Sequence, residues 1–224
     1  TRLSRESAPN EKKPSPGNSS RQRKGKPVNI TVYCGSNPGT NPRFAAAAHE
    51  LGIWVAENSH VLVYGGSSVG LMGTLSHAAL NAGGEVHGVE PGFFIEAGVA
   101  QHDLTELHIV DTMGERKAKM VELGDVFVAL PGGVGTMEEI SEIMSRIRLR
   151  FDPAECFLLN IDGFYNPLKA LLDAMLAQGF LTQADLDRFH FPENVAELTC
   201  LIETAGERKP LRQATARELD PSAE

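Results

Sequence analysis

Two carboxylates and one arginine are the side chains best placed to do chemistry in this sequence. Glu138 and Glu139 follow directly on a glycine-rich turn, Pro131-Gly132-Gly133-Val134-Gly135-Thr136-Met137. The stretch begins at Asp125 and runs through Val126-Phe127-Val128-Ala129-Leu130, a short apolar segment that reads as a strand buried on both faces. Pro131 stops the strand, and Gly132, Gly133 and Gly135 make a tight loop. Thr136 is placed to cap a helix whose apolar stripe is Ile140, Ile143, Met144 and Ile147. Bare backbone N–H groups at such a junction, with the positive end of the helix dipole behind them, attract an anion, most often phosphate. The loop has no lysine, so it is not a P-loop. Glu138 stands where the dinucleotide fingerprint needs a small residue. A loop that holds phosphate and aims carboxylates at the site points to chemistry next to a phosphate rather than on it.

Glu139 has two readings. Thr136-x-x-Glu139 matches a capping box, which uses the acid only to close a helix N-terminus. Two adjacent acids at a phosphate-binding turn are also electrostatically costly unless they are used, which makes Glu139 a candidate catalyst. Arg116, in Met113-Gly114-Glu115-Arg116-Lys117-Ala118-Lys119-Met120, is equally two-sided. Glu115 has Lys119 as its i+4 partner and Lys119 has Glu122 at i+3, but Arg116 has no carboxylate at helical spacing. It is either a solvated surface arginine or a bidentate clamp for a phosphate or carboxylate.

The elements that must position these groups alternate strand and helix. Strands are expected at Val28–Cys34, Val61–Tyr64, Glu85–Glu90, Glu106–Val110, 125–130, Cys156–Ile161 and Phe189–Phe191. Helices are expected over Pro42–Asn58 (with Trp54 in the core), from Gly70 to about Asn81, Met113–Leu123, from Thr136 to about Arg150, Tyr165–Gln178 and Asn194–Thr204. This alternation predicts an α/β fold: a single-domain, Rossmann-like, doubly wound and mostly parallel sheet with helices on both faces. Ligands then bind beyond the carboxyl ends of the strands, where strand order reverses. Three such ends carry Gly/Ser loops, at Gly35-Ser36, Gly65-Gly66-Ser67-Ser68 and Gly132–Gly135, and all three are expected to meet around one site.

The chain of 224 residues suits one domain with tails. Residues 1–27 carry eight Lys/Arg against Glu6 and Glu11, a net of +6. The rest carries 13 basic and 27 acidic residues, a net of −14. The Pro/Ser/Gly-rich basic segment reads as a disordered solvated tail, residues 28–206 as the domain, and 207–224 as a second polar tail. The acidic body argues against nucleic acid as a partner. Cys34, Cys156 and Cys200 are odd in number and far apart, and read as buried thiols of a reducing compartment. No apolar run approaches a membrane span. The N-terminal segment lacks a signal-peptide core, and its first residue, Thr rather than Met, reads as a trimmed start. Cytoplasmic residence is expected. No His/Cys/Asp cluster for a metal is visible in the sequence, and none of the chemistry calls for a metal or redox cofactor.

Several blocks, in order, resemble one family. Pro131-Gly132-Gly133-Val134-Gly135-Thr136-Met137-Glu138-Glu139 is similar to the PGGxGTxxE signature of the LOG ("Lonely guy") family, cytokinin riboside 5′-monophosphate phosphoribohydrolases long labelled lysine decarboxylases. Tyr64-Gly65-Gly66 with Gly70-Leu71-Met72-Gly73, Arg116-Lys117 with Met120, and Asn160-Ile161-Asp162-Gly163-Phe164-Tyr165 also resemble family blocks, and the likeness spans about Val28 to Ala205. It implies hydrolysis of the N-glycosidic bond of a nucleoside 5′-monophosphate, with Arg116 and Glu139 as the catalytic pair. Lys117 and the run Gly132, Gly133, Val134, Gly135, Thr136, Met137 and Glu138 are implied nucleotide contacts, to which the loop and helix ends add Ser36, Gly66 and Met113. The resemblance also implies a homodimer. Nothing resembles a pyridoxal phosphate site, so the decarboxylase label finds no support.

The sequence departs from the family pattern at Ser67 (usually Gly), Gly114 (usually His), Gly98 (aligned with a substrate-contacting Glu) and Arg148-Leu149-Arg150-Phe151, where the plant enzymes carry Trp-x-Gln-Leu-Gly. These bear on base preference more than on the reaction, and no general acid for the leaving base is identifiable. The rivals are a general AMP nucleosidase and a non-catalytic carrier of a phosphorylated cofactor such as the molybdenum cofactor.

Overall fold

Apolar runs too short for helices become strands, and each strand sends alternate side chains to opposite faces of one sheet. The computed structural model describes residues 26–150 and 155–205. Its strands are β1 (Asn29–Tyr33), β2 (Val61–Tyr64), β3 (Glu85–Pro91), β4 (Glu106–Val110), β5 (Val126–Ala129), β6 (Cys156–Leu158) and β7 (Phe189–His190). They lie in the order β4-β3-β2-β1-β5-β6-β7, and every strand pair is parallel. Strand order reverses at β1, so the crevice expected for a ligand opens between the carboxyl ends of β1 and β5.

The helices are α1 (Pro42–Glu57), α2 (Gly70–Asn81), α3 (Gly92–Glu96), α4 (Met113–Leu123), α5 (Val134–Arg148), α6 (Asn166–Ala177), α7 (Gln183–Leu186) and α8 (Val195–Ala205). One layer, α1, α2 and α8, buries Leu51, Val55, Leu75, Leu198 and Ile202 against Ile30, Val32, Leu62 and Val128. The other layer, α4, α5 and α6, buries Met120, Ile140, Ile143, Ile147 and Leu172 against Val63, Val89, Phe127 and Leu158. All four residues of β5 are buried, as a central parallel strand requires.

The structure corrects several expectations. Helix α5 begins at Val134 with Gly133 as its N-cap, so Thr136 lies inside the first turn and caps nothing. The capping-box reading of Glu139 falls with it. β6 stops at Leu158, short of the expected Ile161, because the Asn160 side chain accepts the Tyr165 N–H and Asp162 turns the chain at φ 52°. α3 and α7, of 5 and 4 residues, are too short to show a period in the sequence. Cys34 and Cys156 are buried, but Cys200 is exposed on α8. Trp54 is only half-buried, packed against the core and tilted over His60. Lys119 pairs with Glu122 at 3.0 Å, whereas Glu115 accepts the backbone N–H of Asp111 and its own N–H donates to the Thr112 side chain that caps α4. The tail readings for residues 1–25 and 207–224 lie outside the described residues, as does Phe151.

Candidate active site

The loop after β5 is held from below. Gly132 has no room for a side chain: a Cβ there would overlap the Thr136 hydroxyl and lie 3.0 Å from the Gly35 nitrogen. Thr136 is 3% exposed and sits under the turn. The Gly35 N–H donates to the Pro131 carbonyl at 3.2 Å, and the Gly35 carbonyl accepts from the Leu71 N–H at 3.1 Å. Through these bonds the loops after β1, β2 and β5 are tied together at one end of the sheet. Gly133, Val134 and Gly135 stand above them, exposed, at the N-terminus of the 15-residue helix α5. That is where backbone N–H groups and the helix dipole favour an anion.

Arg116 is neither a surface residue nor unaccompanied. It reaches from α4 across the strand ends and is 7% exposed. Its Nε donates to the Val89 carbonyl at 3.0 Å, its Nη2 to the Gly65 carbonyl at 3.2 Å and its Nη1 to Glu139 Oε1 at 2.8 Å. The three bonds fix the planar fork in position, which lysine could not reproduce. Gly65 makes the room: a Cβ there would overlap the guanidinium. Burial pushes the Glu139 carboxyl up, and the charge and hydrogen bond of Arg116 draw it back down. Helical spacing could not show this contact, because its members are 23 residues apart on two helices, and only the family resemblance paired them.

A cavity of about 490 Å³ opens over this end of the sheet, with Ser36, Glu90, Arg116, Thr136 and Glu139 in its walls. Met113, Lys117, Gly133, Val134, Gly135 and Glu138 also border it. Three further candidates do not. Gly132 lies beneath the loop, Met137 packs into the α5-side core, and Gly66, at φ 82°, backs directly onto Glu90. Lys117 bonds to Glu138 at 2.7 Å and approaches Glu142 at 3.4 Å, and these acids raise its ammonium's pKa. A lysine held protonated is the opposite of what imine formation requires.

Sequence reasoning missed Glu90. It is the penultimate residue of β3, is 2% exposed, and its carboxylate lies 2.8 Å from where a Gly66 Cβ would be. Burial pushes it up to about 7, with Arg116 drawing it back. The available signal was an acid at the carboxyl end of a strand, the edge on which parallel α/β sheets bind ligands. Gly98, aligned with a family acid, sits at φ 72° with open space where a side chain would be.

Comparison with known proteins settles the kinship. A family profile described as "Possible lysine decarboxylase" matches residues 72–202. The chain is 45% identical over 163 residues to a cytokinin riboside 5′-monophosphate phosphoribohydrolase of Rhodococcoides fascians, covering 72% of this chain and 82% of that one. It belongs to the LOG family. Another LOG relative, a cytokinin riboside 5′-monophosphate phosphoribohydrolase of Arabidopsis thaliana, is 40% identical over 153 residues, 68% of this chain and 70% of that one. Among solved structures, a molybdenum cofactor carrier protein of Chlamydomonas reinhardtii shares the fold with a TM-score of 0.64 at 21% identity, over 82% of this chain and all of that one. The likeness shows the architecture alone. In this LOG chain the two residues marked as a catalytic pair by resemblance are the two joined at 2.8 Å.

Gly133 separates loop packing from ligand contact. Nothing lies within 4 Å of a Cβ built there, and its φ of −92° suits any residue. Gly133→Ala should therefore fold normally and raise the nucleotide KM, because its methyl projects beside the loop amides. Steady-state kinetics checks this, and an unchanged KM would remove the loop from the binding site.

Proposed function

We propose that this protein hydrolyses the N-glycosidic bond of cytokinin riboside 5′-monophosphates, and of AMP, releasing free base and ribose 5-phosphate. The observation that carries the reading is the buried Arg116–Glu139 pair beside a glycine-rich anion loop in one cavity. The names borne by the relatives supply the substrate class.

In this reading the phosphate rests on the N–H groups at Gly133–Thr136, and the ribose lies over Glu139. The base points along the sheet edge toward β3, three strand spacings or about 14 Å from β5. As the bond to the base lengthens, positive charge develops on the sugar. The Glu139 carboxylate stabilises that charge and orients the attacking water, while Arg116 keeps it ionised. Glu90 stands at the base end, with a carboxyl poised near neutrality to donate a proton to the leaving base. The water's oxygen ends on ribose C1′ and its proton restores the acid.

Glu90→Gln tests that assignment. Turnover should fall by about 10²–10⁴-fold, and the basic limb of the kcat–pH profile near pH 7 should vanish. A profile that keeps its limb would remove Glu90 from the acid role. Stability gives a second reading of the same group. Its folded-state pKa of about 7 lies above the unfolded value of 4.5, so the folded state binds more protons between them and loses stability as pH rises through that window. Glu90→Gln should therefore stabilise the protein at pH 8, by on the order of 3 kcal/mol, with little effect at pH 4.

Chromatography of AMP and isopentenyladenosine 5′-monophosphate after incubation tests the function itself. Free isopentenyladenine appearing much faster than adenine supports the cytokinin reading, and equal rates favour a general nucleotide hydrolase. Retention of nucleotide with no free base would make the protein a carrier. A homodimer belongs to the proposal. Val134, 90% exposed at the cavity, and Met113, 41% exposed at the start of α4, offer apolar surface for it, and light scattering would test it. So does cytoplasmic residence, supported by the buried free thiols Cys34 and Cys156. No helix among the described residues is long and apolar enough to cross a membrane.

A further inference from the structure

The sequence shows no metal-ligand cluster, but the parallel register of β3 and β4 builds one. His87 on β3 stands opposite Glu106 on edge strand β4, and His108 lies two residues further along β4 on the same face. One ligating atom from each of the three lies within 4.8 Å of the others. His87 Nδ1 is 3.9 Å from Glu106 Oε2, and His108 Nδ1 is 3.6 Å from Glu106 Oε1. Tetrahedral zinc, with bonds of about 2.0–2.2 Å, sets its donors about 3.4 Å apart. Rotation of the half-exposed Glu106 side chain, which brings one oxygen between the rings, and small shifts of the two imidazoles close the difference.

Two further observations point to a ligand. His87 Nδ1, the nitrogen that faces Glu106, is buried and lacks a hydrogen-bond partner. Leaving a buried polar atom unpaired is costly. His87 is also held as metal-bound histidines are: its Nε2 faces Glu85 Oε1 at 2.9 Å, which leaves the Nδ1 lone pair to turn toward Glu106. The rings sit 5.8 Å apart at 61°, with 14% and 17% of each side chain exposed, so solvent can complete the coordination.

We infer that His87, Glu106 and His108 bind one Zn²⁺, with water as the fourth ligand. Two imidazoles and a carboxylate suit zinc among the first-row divalent ions. The site lies about 10 Å along β3 from Glu90, away from the cavity, at three residues of about 3.3 Å each. Its effect is to staple the edge strand β4, which leads into α4 and Arg116, onto β3.

The test uses the full chain stripped with chelator and titrated calorimetrically with Zn²⁺, and separately with Co²⁺ followed by visible absorption. We expect one equivalent of Zn²⁺, the ligand-field bands of four-coordinate cobalt, and a Tm raised by about 5–10 °C at a hundredfold excess over Kd. His108→Asn and Glu106→Gln should each abolish the cobalt bands, and Glu85→Gln should weaken Zn²⁺ binding about 10–100-fold. Nucleotide hydrolysis and circular dichroism should be unchanged in all three variants, which shows that they fold. Absence of zinc binding by the native chain would overturn the site, as would undiminished binding by both ligand variants.

Discussion

Glu139→Gln is expected to lower kcat by about 10²–10⁴-fold while leaving the nucleotide KM within a few-fold of the native value. The substitution keeps the shape of the side chain and an oxygen for the Arg116 Nη1 bond, which is 2.8 Å long in the native protein. It removes the negative charge that meets the sugar as the glycosidic bond breaks. A loss of kcat and kcat/KM together, with KM nearly unchanged, marks an interaction made in the transition state. Full activity would reduce Glu139 to a counter-ion for Arg116. Helix capping is no longer an alternative, because α5 starts at Val134 and Glu139 points at the guanidinium.

Arg116→Ala is expected to remove both activity and stability. The side chains of Arg116 and Glu139 are 9% and 10% exposed, so removing the cation leaves a buried carboxylate without its partner. It also strips the Val89 and Gly65 carbonyls of their donors. Breaking a buried pair of this kind costs about 3–5 kcal/mol, a fall in Tm on the order of 10 °C for a chain of this length. The pKa of Glu139, already raised by burial, should rise further once the charge that lowers it is gone. Arg116→Lys should recover part of the stability, since it restores a charge but only one of three directed bonds. Calorimetry decides the matter, and an unchanged Tm for Arg116→Ala would refute the buried pairing.

The expectations that failed share a cause. Glu115 and Lys119 sit at i,i+4, yet Glu115 is taken by the Asp111 backbone, because a carboxylate in the first turn of a helix finds unpaired N–H groups nearer than any side chain. Thr136 has the type and place of a cap, but the glycines before it let the helix start earlier and draw Thr136 under the turn. Glu90 carries no local signal, because an acid in a strand that also holds Glu85 and His87 has no period and no motif. Its meaning comes from the end of the sheet it occupies.

What the amino-acid sequence determined by itself was whatever local spacing encodes. Short strand-like runs alternating with amphipathic ones dictate a parallel sheet between helix layers, and glycines packed after Pro131 dictate a loop with bare amides. The ordered blocks around Gly65, Arg116 and Gly132 pointed to the LOG family. Only the tertiary structure decided which charges meet. Arg116 and Glu139 come from α4 and α5, Glu90 from the end of β3, and His87, Glu106 and His108 from two strands aligned by their register. Electrostatic energy depends on distance in space and on burial, and neither can be read from separation along the chain.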